Sequence, residues 1–196
     1  MVSPVPLDRR AAVAALLAGR GDLLVVAGLG SPAYDLHAAG DHDANFYLWG
    51  AMGGAALMGL GLAQARPERP VLVLTGDGEA LMGLGGLATI AIAAPGNLTI
   101  AVIDNGHFGE TGMQRSHTGR GLDLAAVAAA CGFAEAGTVT DMAGVEALRA
   151  RLRGPAEGPR LCVLKVEACN LPRSLPARDA VYLKNRFRAA LGLGVN

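Results

Sequence analysis

Apolar runs that alternate with helix-patterned segments constrain this chain more than any other feature. Leu23–Ala27, Val71–Thr75 and Leu98–Ile103 are short and apolar, as is 161–167, and a shorter strand is expected at 134–139. Helical patterns fall between and around them, at 7–19, 32–39, 51–65, 79–94, 122–131, 141–153 and 178–191. Runs this short and this apolar read as strands buried on both faces, and their alternation with helices implies βαβ units. The expected fold is therefore α/β, a central parallel sheet flanked by helices on both faces. Residues 40–49, GDHDANFYLW, show no element pattern, and 106–121 read as a long glycine-rich loop, the kind of segment that carries function.

Composition excludes several classes. The 17 basic and 17 acidic side chains cancel, which leaves no electrostatic case for nucleic acid, and aromatics at 4 % are too few for base stacking. Leu48–Ala65 and Leu81–Ile103 carry no charge, but the first is loaded with glycine and the second is cut by Pro95-Gly96-Asn97. Both read as buried α/β elements, not membrane spans. Arg9-Arg10 ahead of AAVAALLAG resembles a leader only faintly, because Arg20 and Asp22 follow at once; a surface helix is expected. Cys131, Cys162 and Cys169 form no CxxC pair, consistent with reduced thiols in a cytoplasmic protein.

The chemistry begins where Val71–Thr75 meets Gly76-Asp77-Gly78. In an open α/β sheet, ligands sit beyond the carboxyl ends of strands. Glycines allow close backbone approach, and the helix start near Glu79 and Ala80 offers free N–H groups suited to phosphate. An aspartate there repels phosphate unless a cation lies between, which suggests a diphosphate held through Mg²⁺. The plainer alternative is a tight strand-to-helix turn with an exposed Asp. The next strand ends in Asp104-Asn105-Gly106-His107, and 26 residues, 79–104, separate Gly78 from Asn105. That spacing fits one helix and one strand, so Asp77 and Asn105 cap neighbouring strands about 4.8 Å apart.

GDG at this distance from an Asn-containing turn resembles the signature of thiamine-diphosphate-binding proteins. The family has Asn-Asn where this chain has Asp104-Asn105. The resemblance implies Mg²⁺ on the Asp77 and Asn105 side chains and the His107 carbonyl, with Asp104 behind them. LWGAMGGA, residues 48–55, resembles the family's Gly-x-Met-Gly segment. By that likeness Met52 wedges the cofactor into its bent form and the Gly50 carbonyl accepts from its 4′-amino group. Gly30, Ser31, Gly76, Gly78, Glu79 and Ala80 would complete the cofactor contacts. NFYLWGAMG, GDGEALMGLGGLATI and IDNGHFGETGMQRSHTG together are similar to sulfopyruvate decarboxylase β subunits and to the C-terminal half of phosphonopyruvate decarboxylases. The likeness runs from about residue 23 to about 135; Asp41-His42 stands where Asp-Arg is expected.

Residues 1–196 then form a single diphosphate-binding domain, with the pyrimidine-binding domain and its N1′ glutamate on a partner chain. The implied activity is decarboxylation of a small 2-oxo acid by a hetero-oligomer. His107, Glu110 and His117 are the proton-transfer candidates in the 106–121 loop, and Arg115, Arg120 and Arg173 are possible partners for an anionic substrate. His37 and His42 read as surface residues. Other readings stay open. Gly28-x-Gly30-x-x-Ala33 fits a dinucleotide fingerprint, but no acidic strand end follows about twenty residues later. Within thiamine enzymes, a 2-oxo acid:ferredoxin oxidoreductase β subunit, an acetolactate-synthase-like lyase or a binding-only subunit remain.

Overall fold

The computed structural model describes residues 6–154 and 156–194. In chain order the elements are α1 (Arg9–Leu17), β1 (Leu24–Ala27), α2 (Ser31–Ala38), β2 (Asn45–Tyr47), α3 (Ala55–Ala65) and β3 (Val71–Gly76). They continue with α4 (Asp77–Met82), α5 (Gly86–Ala93), β4 (Leu98–Asp104), and the hairpin strands β5 (His107–Phe108) and β6 (Gln114–Arg115). The last are α6 (Leu124–Cys131), β7 (Glu135–Val139), α7 (Met142–Arg151), β8 (Arg160–Lys165) and α8 (Ala180–Ala190). No helix among the described residues is long and apolar enough to cross a membrane.

Six strands form one parallel sheet in the order β2-β1-β3-β4-β8-β7. Side chains alternate between two cores. Val25, Leu72, Leu74 and Ala101 pack with α1, α2 and α7 on one face. Leu24, Val73, Ile100 and Val102 pack with α3, α5 and α6 on the other. Burial on both faces explains why these strands read as unbroken apolar runs. The strand order reverses between β1 and β3, so a crevice opens beyond their carboxyl ends, where Gly28–Ser31 and Gly76–Gly78 lie.

Three elements depart from the sequence expectation. The 79–94 helix is two helices, α4 and α5. A Cβ on Gly83, between them, would sit 2.2 Å from the Gly53 carbonyl oxygen. The backbones of the two segments touch there, and the approach interrupts the helix. The 51–65 helix starts only at Ala55, because Gly50 and Gly53 take φ of 75° and 83°. Met52 therefore rides on a loop. β2 was not expected at all; it is a three-residue edge strand whose Asn45 is fully buried.

The turn that rules out a spanning helix also fastens α3. Asn97 Nδ2 donates to the carbonyls of Ala63, Arg66 and Arg69 at 3.1, 3.0 and 2.8 Å. Asn97→Asp would set a carboxylate oxygen against three carbonyls. The expected loss is about 2–3 kcal/mol of stability, read as a lower urea midpoint at neutral pH with an unchanged slope.

Candidate functional site

A cleft of about 250 Å³ lies at the reversal point. Gly30 and Ser31 from the end of β1, Gly76–Glu79 from the end of β3, and Asn105 and His107–Glu110 after β4 border it, with Met52 and Met82 at the lip. Gly76 pairs with Ile103 across β3 and β4, so Asp77 and Asn105 stand at adjacent strand ends as expected.

Asp77 is almost completely buried. Its Oδ2 accepts from Ser116 Oγ in a short contact and from Thr118 Oγ1 at 2.9 Å. Thr118 Oγ1 also lies 2.7 Å from Asp104 Oδ1 and 2.9 Å from Ser116 Oγ. Four close oxygen contacts thus share two hydroxyl protons, since each hydroxyl has only one to give. Acceptors outnumber donors. A proton or a cation relieves that excess, and burial pushes the Asp77 carboxyl up, so it holds a proton more readily than an exposed aspartate. Asp104 is tied from the other side by a cross-strand ion pair with Lys165. Asn105 Oδ1 accepts the His107 N–H at 2.9 Å.

The donor set suits a hard cation: one carboxylate, one side-chain amide oxygen, and backbone carbonyls in the following turn. Among the described residues no group of three or more His, Cys, Asp and Glu could hold a metal, which excludes a histidine- or cysteine-rich centre there. The crevice and this oxygen-rich corner would suit a hard cation such as Mg²⁺ and an anionic phosphate group.

The other expected residues divide. His107 borders the cleft, and its Nδ1 lies 2.8 Å from the Asn105 carbonyl. A carbonyl only accepts, so Nδ1 carries a proton, and in the neutral ring Nε2 is the nitrogen with the lone pair. Glu110 borders the cleft too, paired at 2.8 Å with Arg173. His117 is exposed, lies edge-on to Phe108 with ring centres 6.4 Å apart, and does not border the cleft. Met52 is 44 % exposed at the lip, so it is not buried in the core. Gly50 is exposed and Ala80 faces a small cavity under α3; neither borders the cleft. The Glu79 carboxylate is turned inward, accepting from Thr75 Oγ1 at 2.7 Å and the Ala55 N–H at 3.3 Å, and burial raises its pKa.

Arg115 and Arg120 are exposed on the loop. His42 is exposed beside β2, while His37 is half-buried with Nδ1 2.8 Å from Ser174 Oγ. Asp41 accepts from Tyr47 Oη at 2.8 Å and pairs with Arg186 at 2.6 Å. The departure at His42 therefore does not border the cleft. Sequence reasoning missed Ser116 and Thr118, which sit in a loop without periodicity, and Lys165, which sits inside an apolar strand run.

Residues 33–166 match the family model described as the thiamine pyrophosphate enzyme C-terminal TPP binding domain. The chain is 42 % identical over 174 residues to a phosphonopyruvate decarboxylase from Streptomyces viridochromogenes, covering 86 % of this chain and 42 % of that protein. It is 43 % identical over 127 residues to a sulfopyruvate decarboxylase subunit beta from Methanothermobacter thermautotrophicus, covering 65 % of this chain and 68 % of the relative. A solved structure described as a thiamin diphosphate-dependent enzyme from Mycobacterium smegmatis superposes with a TM-score of 0.69 at 25 % identity, over 83 % of this chain and 32 % of that one. The chain thus spans less than half of that phosphonopyruvate decarboxylase. By its fold, its crevice and these matches, the chain belongs to the thiamine pyrophosphate enzyme family, as a C-terminal-type TPP-binding domain.

Proposed function

We propose that this chain is the diphosphate-binding β subunit of a thiamine-diphosphate- and Mg²⁺-dependent 2-oxo acid decarboxylase, converting sulfopyruvate to sulfoacetaldehyde and carbon dioxide. The carrying observation is the pair Asp77 and Asn105 at adjacent strand ends of the crevice, with Met52 exposed at its lip. The pyrimidine half of the site, with its N1′ glutamate, comes from a partner α chain. The description of the Methanothermobacter relative as a subunit beta supports this. So do exposed apolar side chains: Leu57 and Met58 on α3, Met82 on α4 and Ile92 on α5 are all exposed. Three unpaired cysteines support a reducing, cytoplasmic setting.

Asp77 and Asn105 would hold the cation, with the His107 carbonyl as a third ligand. When bound, the cofactor supplies an electron sink for the bond that carbon dioxide leaves behind. The chain's own residues do the rest. Met52, exposed at the lip, would pack against the bound cofactor. Met82 and Phe108 line the cleft with apolar surface, which favours charge-dispersing steps. Loss of carbon dioxide leaves a carbon that must take up one proton before the aldehyde departs. His107 borders the cleft, and its imidazole suits that proton traffic; Glu110 is the second candidate.

The test is co-expression with the partner chain and an assay of carbon dioxide release with thiamine diphosphate and Mg²⁺. Release from sulfopyruvate that needs both chains is the expected result. Release from phosphonopyruvate instead would keep the subunit role and replace the substrate, and cofactor binding without release from either would leave a binding-only subunit.

A further inference from the structure

α3 opens without a capping side chain, because its N-cap is Gly54. A helix start in that state leaves backbone N–H groups to be matched from elsewhere. Glu79, the third residue of α4, meets this need from another element. Its Oε1 accepts the N–H of Ala55, the first residue of α3, at 3.3 Å, and its Oε2 accepts from Thr75 Oγ1 on β3 at 2.7 Å. The Gly53 backbone also favours the charged carboxylate by hydrogen bonding. Glu79 is 3 % exposed, so these bonds are shielded from water, and a bond to a charged acceptor holds more firmly than a neutral one.

The anchored point ends the loop that carries Met52, three residues before Ala55. Gly50 and Gly53, which flank Met52, both take positive φ, and glycine backbone has little stiffness of its own. The place of Met52 is therefore set by what holds the loop. The same end of the loop meets α4 again, where the Gly53 carbonyl lies against Gly83. Asp77 opens α4, two residues before Glu79. One short helix thus carries the cation-site carboxylate and the anchor of the Met52 loop. We propose that Glu79 is a positioning residue, a buried peg that fixes the Met52 loop relative to Asp77 so that the two meet one bound cofactor in register. The assignment rests on the thiamine-diphosphate reading above and gives the Glu79 side chain a role there without direct contact with the cofactor.

Hydrogen exchange and calorimetric titration of the full chain, in Mg²⁺, with thiamine diphosphate and inorganic pyrophosphate, test it. Glu79→Met keeps the length of the side chain and removes both acceptors. Exchange at residues 50–55 should quicken roughly 10- to 100-fold, as expected for losing a charge-assisted bond, while amides of β3 and β4 keep wild-type protection. Thiamine diphosphate should bind roughly tenfold more weakly. Pyrophosphate should stay within about twofold, because it has no ring for Met52 to meet. Glu79→Gln keeps an acceptor oxygen and should restore most of both readouts. Glu79→Asp shortens the reach by one methylene; it should loosen the loop in part, and it carries the test if Glu79→Met fails to fold. Faster exchange in loop and sheet alike, or an equal loss for both ligands, would assign Glu79 a merely structural role and overturn the proposal. So would unchanged exchange in the loop, or a loosened loop with full affinity for thiamine diphosphate. If the wild-type chain binds Mg²⁺-pyrophosphate but not thiamine diphosphate, the cofactor reading fails, and the proposal with it. If it binds both and the Glu79 variant binds them equally well, only the proposal fails.

Discussion

Asp77→Ala is expected to weaken Mg²⁺-dependent binding of thiamine diphosphate by at least roughly a hundredfold, about 2.7 kcal/mol, and to abolish turnover in the two-chain enzyme. The carboxylate is the only anionic group among the expected cation ligands, and it stands where a diphosphate would otherwise meet negative charge. Calorimetry with and without Mg²⁺ reads the effect; equal affinity for the variant and the wild type would remove Asp77 from the cation site. The loss must not be a folding loss, and the burial of Asp77 supplies a separate check. Its carboxyl is pushed above the ordinary range by desolvation. A carboxyl whose folded pKa exceeds its unfolded one stabilises the folded state at low pH. That contribution disappears as pH rises from the unfolded value through the folded one. Above that folded pKa the metal-free wild type therefore carries an unfavourable buried charge. Asp77→Asn, close to it in shape and uncharged, should melt at the same temperature or higher without metal, and its melting temperature should fall less as pH rises. The same linkage makes cation loading weaken as pH drops, because the ion must displace the proton.

How much of this was legible in the sequence depended on which force shapes each segment. β1, β3, β4 and β8 are buried on both faces, so their composition alone marks them. The position of Asp77 and Asn105 at adjacent strand ends was legible because strand ends in such a sheet have a fixed geometry. The 106–121 loop was legible only as a loop. Its hairpin, β5 with β6, is held by contacts across the fold, the Ser116 and Thr118 hydroxyls on Asp77. No local pattern encodes those. β2 was invisible because three edge residues cannot show a period. Arg9 was hidden for a different reason. Beside Arg10 at a helix start it looks like surface charge, and only packing of α1 against α2 turns it inward.

Gly28 shows the same limit from the other side, and its replacement carries the second large expected effect. In sequence Gly28 belongs to a glycine pattern shared with dinucleotide-binding turns. In the fold, a Cβ on Gly28 would sit 1.5 Å from Glu79 Oε2 and 2.4 Å from its Cδ. The glycine is there to admit the buried carboxylate of the neighbouring strand-to-helix turn. Glu79 is 3 % exposed and is held by Thr75 and by the Ala55 N–H at the start of α3. It cannot yield without breaking both bonds and leaving a carboxylate without partners. Gly28→Ala should therefore destabilise the chain by about 3–5 kcal/mol, the cost of overpacking combined with breaking a buried polar pair. A double-mutant cycle separates this from backbone strain. Glu79→Ala alone removes the two bonds and opens space. If the clash is the cause, adding Gly28→Ala to it should cost less than about 1 kcal/mol, the range left when two groups no longer meet. If Gly28→Ala costs the same in both backgrounds, the fault lies in the backbone at the end of β1, and Glu79 has no part in it. Urea unfolding of the four proteins decides between the two.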